Sequence, residues 1–276
     1  MKFLPILLAI LLLAGCGPAK RARSMKESVA AAKTGDWPAA YKAALACQTS
    51  QEDDPGALAM LALTQYQVDS TTLASSLELM EKALALTPER YDLLYMKGWL
   101  LMHGARYKDA LAVLQQAYDL HMNSDNNSHV PENVEGAIQY CIAVCNFHLH
   151  KNDDAISYME KAMRHSNYSQ SPELLNNLAV LRMRKKQYDK ATLDLLNKAR
   201  TAKPNFPEYN INMAVCVDLY PDKARAPGWY SLAQKCINIA LNDKNITASR
   251  KQDLLVAKQQ IDARLRKLPK SAPKSK

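Results

Sequence analysis

Residues 91–124, YDLLYMKGWLLMHGARYKDALAVLQQAYDLHMNS, decide the reading of this chain. Apolar residues recur every three to four positions on both sides of a break at 103–106, which predicts two amphipathic helices joined by a tight turn. Gly98 lies midway along the first helix, where it costs about 1 kcal/mol against Ala unless a close packing contact needs it. Ala110 and Ala117 share one face of the second helix, where small side chains let two helices approach. The block upstream carries the same marks 34 residues earlier, with Met60 for Leu94, Leu73 for Tyr107, Ser76 for Ala110, Met80 for Leu114 and Ala83 for Ala117. Pro88 closes that block, where a second helix has to stop.

A helix–turn–helix period of 34 with Gly, Tyr, two Ala and Pro in these places resembles the tetratricopeptide repeat (TPR). The resemblance implies an all-α fold, a right-handed superhelical array of about six TPR-like helical hairpins plus a C-terminal capping helix, over residues 26–268. A divergent first repeat ends at Cys47, with a turn at Gly35, Asp36 and Trp37 and with Ala40 and Cys47 in the small-residue places. Repeats at 57–90 and 91–124 abut. The polar segment 123–135 then interrupts the period, so that Ala155 follows Ala110 by 45 residues rather than 34, and it reads as an exposed loop. The next repeat, 136–169, puts Ala155 and Ala162 in the small places. In the following one, 172–203, Ser171 is the cap, Pro172 and Glu173 suit the first turn, and Tyr188 and Ala191 repeat Tyr107 and Ala110, with Ala199 one residue late. Residues 207–241 read as a last, degenerate repeat. A final helix to 268 carries the stripe Leu254, Ala257, Ile261, Leu265 and Leu268, suited to covering the open edge of the array. Residues 269–276, PKSAPKSK, read as a disordered basic tail.

The first 15 residues, MKFLPILLAILLLAG, place one cation before an apolar run, as a secretory signal peptide does, and the run is too short to span a membrane. They end in Leu13, Ala14, Gly15 and Cys16, which resembles the bacterial lipoprotein cleavage box. The resemblance implies that Cys16 is the lipidated residue and that residues 16–25 tether the array to the membrane. Three acyl chains would exceed what stable anchoring needs. Gly17, rather than Asp, after the cysteine implies the outer membrane, with the array facing the periplasm. Lys20, Arg21 and Arg23 stand beside the anchor, suited either to anionic headgroups or to a solvated tether.

The formal charge is +9, from 36 Lys and Arg against 27 Asp and Glu, and +8 once Lys2 leaves with the signal peptide. Basic residues mostly alternate with acidic ones along the helices and cluster only at the two ends, a pattern that does not favour nucleic acid. Gly-rich phosphate loops, H-E-x-x-H and G-x-S-x-G are missing from the sequence, so no enzyme, cofactor or small-molecule substrate is expected. Cys141, Cys145 and His148 share one helix face, a spacing open to metal, but no partner pair accompanies them and they read as packing residues. With Cys16 lipidated, five thiols remain, Cys47, Cys141, Cys145, Cys216 and Cys236, and an odd count excludes full pairing. A bridge between Cys216 and Cys236 is the alternative to two free thiols there.

In this repeat family one stripe of each first helix lines the concave groove. Carried onto this chain, the stripe is Asp92, Tyr95, Trp99, Met102 and His103, then Tyr140, Val144, Phe147 and His148, then Asn176, Val180, Met183 and Arg184. Its aromatic and Met content suits the capture of a protein or peptide segment of another envelope protein. Lipobox and repeats together resemble pilotin and Tad-type pilus-assembly lipoproteins, which implies a scaffold for pilus or secretion-system assembly. An adaptor for peptidoglycan enzymes or outer-membrane protein assembly is the alternative.

Overall fold

The computed structural model describes residues 19–48, 54–123, 134–219, 226–242, 246 and 248–267. Among these the regular elements are all helical: α1 (Ala19–Thr34), α2 (Trp37–Gln48), α3 (Pro55–Val68), α4 (Leu73–Leu86), α5 (Tyr91–His103), α6 (Tyr107–Asn123), α7 (Val134–His148), α8 (Asn152–Ala162), a single turn Ser166–Ser169, α9 (Pro172–Arg184), α10 (Lys190–Ala202), α11 (Pro207–Leu219), α12 (Ala226–Leu241) and α13 (Ala248–Lys267), with a short 3₁₀ turn Ser70–Thr72 before α4. Residues 1–15, expected to be a signal peptide, Cys16, most of segment 123–135 and residues 269–276 lie outside the described residues, as does Leu268 of the capping stripe. Residues 19–25, read as tether, are instead the first turns of α1.

The helices pair in chain order into six hairpins, α1/α2 to α11/α12, and α13 packs on α12. The chain divides into two compact units, one ending at Tyr168 and one beginning at Ser169. The first holds four hairpins. The second holds two hairpins and α13.

One pattern closes the hairpins. Four of the six second helices bury a small, a large and a small residue at steps of four and three: Ser76, Met80 and Ala83 on α4; Ala110, Leu114 and Ala117 on α6; Ala155, Met159 and Ala162 on α8; Thr192, Leu196 and Ala199 on α10. On α2 the triple is all small, Ala40, Ala44 and Cys47. Small residues at i and i+7 let the neighbouring helices close in, and the large one at i+4 fills the space between them. Gly98 of α5 shows how close the fit is, since a Cβ there would stand 2.5 Å from Leu114 Cγ and 2.7 Å from its Cδ2.

Four of the turns inside hairpins share one geometry. Gly35, Ala105, His150 and Lys186 each adopt a positive φ. Around Ala105, its own N–H reaches the Met102 carbonyl and the Arg106 N–H reaches that of Leu101, and the other three turns repeat both bonds. This is the Schellman end, in which a left-handed residue satisfies carbonyls the helix leaves open. Only Gly35 is at ease there; the other three carry a Cβ that disfavours the conformation.

The α9/α10 turn corrects the expected register. Two extra residues, relative to the α5/α6 turn, separate Lys186 from the start of α10. Asp189 caps that helix by accepting from the Thr192 N–H at 2.8 Å. Thr192, rather than the exposed Ala191, therefore enters the seam, with its hydroxyl donating to the Gln187 carbonyl at 2.9 Å. From Thr192 the step to Ala199 is regular, so the residue that looked late belongs to a shifted frame.

In the second unit α13 buries Leu254 and Ile261, with Ala257 and Leu265 packed beside them, as the capping stripe requires. Gln234 of α12 donates to Asp262 at 2.6 Å, and Arg264 pairs with the buried Asp218 of α11. Cys216 and Cys236 are both free and buried, so the bridge considered for them does not form; Cys236 faces the Pro204 carbonyl instead.

Gly98→Ala tests the seam. The substitution should destabilise the protein by about 1–3 kcal/mol through overpacking. In a Leu114→Ala background, where the obstructing side chain is gone, the same change should stabilise by up to about 1 kcal/mol through helix propensity. Urea midpoints of the four proteins, followed by helical circular dichroism, give the coupling.

Candidate functional site

In the first unit the expected groove stripe divides between packing and surface. Asp92 is buried and salt-bridged to Arg90, whose Nε donates to its Oδ1 at 3.0 Å. Tyr95 is 0% exposed. Burial holds its phenol well above the usual value, with Cys141 and Tyr168 adding to the effect. Tyr140 is buried against Tyr168, ring centroids 5.8 Å apart. Trp99 is 3% exposed. In this structure these four serve the core and offer a partner almost nothing. Cys141 and Cys145 join the same core as buried free thiols, with Cys145 pushed up to about 12 by burial. Among the described residues no cluster of His, Cys, Asp or Glu is arranged to hold a metal ion.

The accessible part lies at the C-terminal ends of α5 and α7. Met102, His103, Val144 and Phe147 are half-buried and His148 is exposed. Aromatic contacts hold this end. Trp99 meets Tyr66 of α3 edge to face at 6.1 Å and lies against His103 at 3.8 Å. His148 stacks flat on Tyr107 of α6, centroids 4.1 Å apart and planes 5° apart, while Phe147 stands across it at 5.4 Å. Rings fixed at these distances are a rigid surface, and a ligand that docks on them orders few side chains. Tyr66 and Tyr107 are the members the family stripe does not contain. In the sequence Tyr107 carries only the repeat period, shared with Leu73 and Tyr188. The 33-residue step from Tyr66 to Trp99, one short of the period, was the signal for the other.

The His103 ring is oriented by its backbone contact, and in the neutral ring that contact selects one tautomer. Its Nδ1 lies 2.9 Å from the Trp99 carbonyl oxygen, which can only accept, so Nδ1 carries the hydrogen and Nε2 is left as an acceptor. Burial pushes its pKa down and outweighs the opposing pull of the carbonyl.

The stripe members of the second unit are held differently. Asn176 is buried; its amide accepts from Asn212 of α11 at 2.8 Å and donates to Asn177 at 3.4 Å. Val180 and Met183 are half-buried and Arg184 is exposed.

Paired helical hairpins with an aromatic patch on their first helices are an architecture suited to protein interaction. Residues 61–125 and 147–207 match the family model of the tetratricopeptide repeat. Over those two stretches the chain carries tetratricopeptide repeats. Among solved structures its fold is similar to that of PilF of Pseudomonas aeruginosa, at 15% identity over 89% of this chain and 97% of that one, with a TM-score of 0.68. It is also similar to PilW, a widely conserved type IV pilus biogenesis factor, at 14% identity over 87% and 100%, TM-score 0.66. A third is YrrB, a TPR protein with an unusual peptide-binding site, at 16% identity over 79% and 99%, TM-score 0.55. No curated protein matches the chain by sequence. At these identities the likeness is one of fold.

His103 makes a pH prediction. Because folding lowers its pKa, its contribution to stability is complete above the unfolded value, about 6.5, and is lost as the pH falls below it toward the folded value. Thermal midpoints at neutral and mildly acid pH should therefore fall further for the unmodified protein than for His103→Phe. Equal falls would remove His103 as a source of the acid sensitivity.

Proposed function

We propose that the protein is a lipid-anchored periplasmic scaffold that captures a segment of another envelope protein on the aromatic patch of α5 and α7, in the assembly of a pilus or secretion machine. The observation that carries the reading is the pairing of a rigid, half-exposed patch, Met102, Phe147 and His148 above all, with a fold shared along almost the whole length of PilF and PilW. The likeness to PilW, a type IV pilus biogenesis factor, supports the process, and the likeness to YrrB, with its peptide-binding site, supports peptide capture by such an array. The lipobox ending at Cys16 supports the location, and Gly17 supports the outer membrane over the inner.

An apolar segment laid across the patch would bury Met102 and Phe147, with the His148 ring and the acceptor Nε2 of His103 at its margin to take polar groups. No turnover is part of this reading; affinity and placement are the function.

Two experiments test it separately. Met102→Ala with Phe147→Ala and His148→Ala should weaken co-purification of the pilus or secretion-channel subunit by about tenfold or more, with helical content retained, because half-exposed hot-spot residues carry binding energy but little of the core. Undiminished co-purification removes the patch from consideration. Cys16→Ser should abolish fatty-acid labelling and move the protein from the outer-membrane to the soluble fraction. A serine variant that stays in the membrane overturns the anchor and leaves the patch untouched.

A further inference from the structure

The positive charge of this protein is concentrated at its C-terminal end. Residues 248–276 hold nine Lys and Arg against two Asp, +7 of the formal +9, so the preceding 247 residues carry only +2. The described part of this region is α13, whose inner stripe, Leu254 and Ile261, is committed to the core. Its outer face presents two large apolar residues, Leu255 at 38% and Val256 at 44% exposure. Lys251 and Asp253 are exposed within a turn before them, and Arg266 and Lys267 are exposed at the far end of the helix, with glutamines 252, 259 and 260 filling much of the rest. Of the two acids, Asp262 is turned to Gln234 of α12. From Arg266 to the end the sequence carries five cations and no acid.

We propose that the outer face of α13, with the basic sequence that follows it, is a docking surface for an anionic phospholipid bilayer. Cations that flank two exposed aliphatic side chains match the boundary of such a bilayer, where headgroups take the charges and the acyl margin takes Leu255 and Val256. A diffuse negative surface asks for charge without exact geometry. Residues 248–276 contain no aromatic side chain, so the base stacking that supports single-strand nucleic-acid binding has nothing to use. The surface belongs to the second unit and the α5 and α7 patch to the first, and the surface needs neither that patch nor an acylated Cys16.

The test uses the full chain with Ala263→Cys, an exposed position on the same face, carrying an environment-sensitive nitrobenzoxadiazole dye. The five described cysteines are buried, and the unsubstituted chain, labelled in parallel, accounts for Cys16. The emission should shift to the blue and strengthen on vesicles with about a third phosphatidylglycerol, not on pure phosphatidylcholine, and should revert at roughly 0.5 M salt, where screening shortens the reach of the charges to a few ångström. Lys251→Gln with Arg266→Gln, Lys267→Gln and Lys270→Gln should weaken the vesicle response by about tenfold or more, with unchanged circular dichroism. Phe147→Ala should leave the response as it is. An equal response on neutral vesicles, a response that survives the four substitutions, or binding to duplex DNA or an acidic protein with no response to anionic vesicles overturns the proposal.

Discussion

The contact on which this structure depends is the seam between paired helices, where a large side chain on a second helix drops between two small ones and meets a first helix at close range. A lone hairpin cannot remove its apolar face from water, so each pair is stable only through its neighbours. Small residues at both ends of the triple set the approach distance. In the third hairpin the approach is so close that Leu114 leaves no room for a Cβ at position 98. That explains a glycine in the middle of a helix, where propensity alone would disfavour it.

The same packing decides what the protein can offer a partner. The first turns of α5 and α7 are used up by the core, with Asp92, Tyr95 and Tyr140 enclosed. Their last turns lie beside the hairpin turns, where fewer neighbours cover them, and there Met102, Phe147 and His148 stay accessible. Stacked imidazoles make this end stiff. His148 lies flat on Tyr107, and His103 is held by the Trp99 carbonyl and ring. A recognition surface made of rings already in contact loses little side-chain entropy when it binds.

Buried polar groups mark where the repeat has departed from its pattern. Thr192 enters a seam otherwise lined by Ala or Ser at that place, and its hydroxyl is satisfied by the Gln187 carbonyl exposed in the longer turn. Asp218 is buried at the α11/α13 contact and is met by Arg264, so the capping helix is joined to its unit by a charge pair as well as by Leu254 and Ile261. Arg264 is half exposed, so solvent screens the pair and Leu254 and Ile261 carry more of the attachment.

The sequence by itself determined the all-helical hairpins, their number, and most residues of the seam, because a 34-residue period with small side chains at fixed steps has few other ways to bury its apolar face. It also determined that Ser171 and Pro172 begin a helix, since capping is a local matter of one side chain and the next few N–H groups. Tertiary structure alone decided which stripe residues remain accessible: Trp99 and Met102 sit three positions apart on one face, yet Tyr66 and His103 cover the first and leave the second half open. It alone decided that Thr192 and not Ala191 faces the core, because a lengthened turn rotates every later residue of the helix, and the length of a turn is set by how its ends are capped and packed. Periodicity reports which residues share a face; what lies against that face is a property of the neighbouring helices.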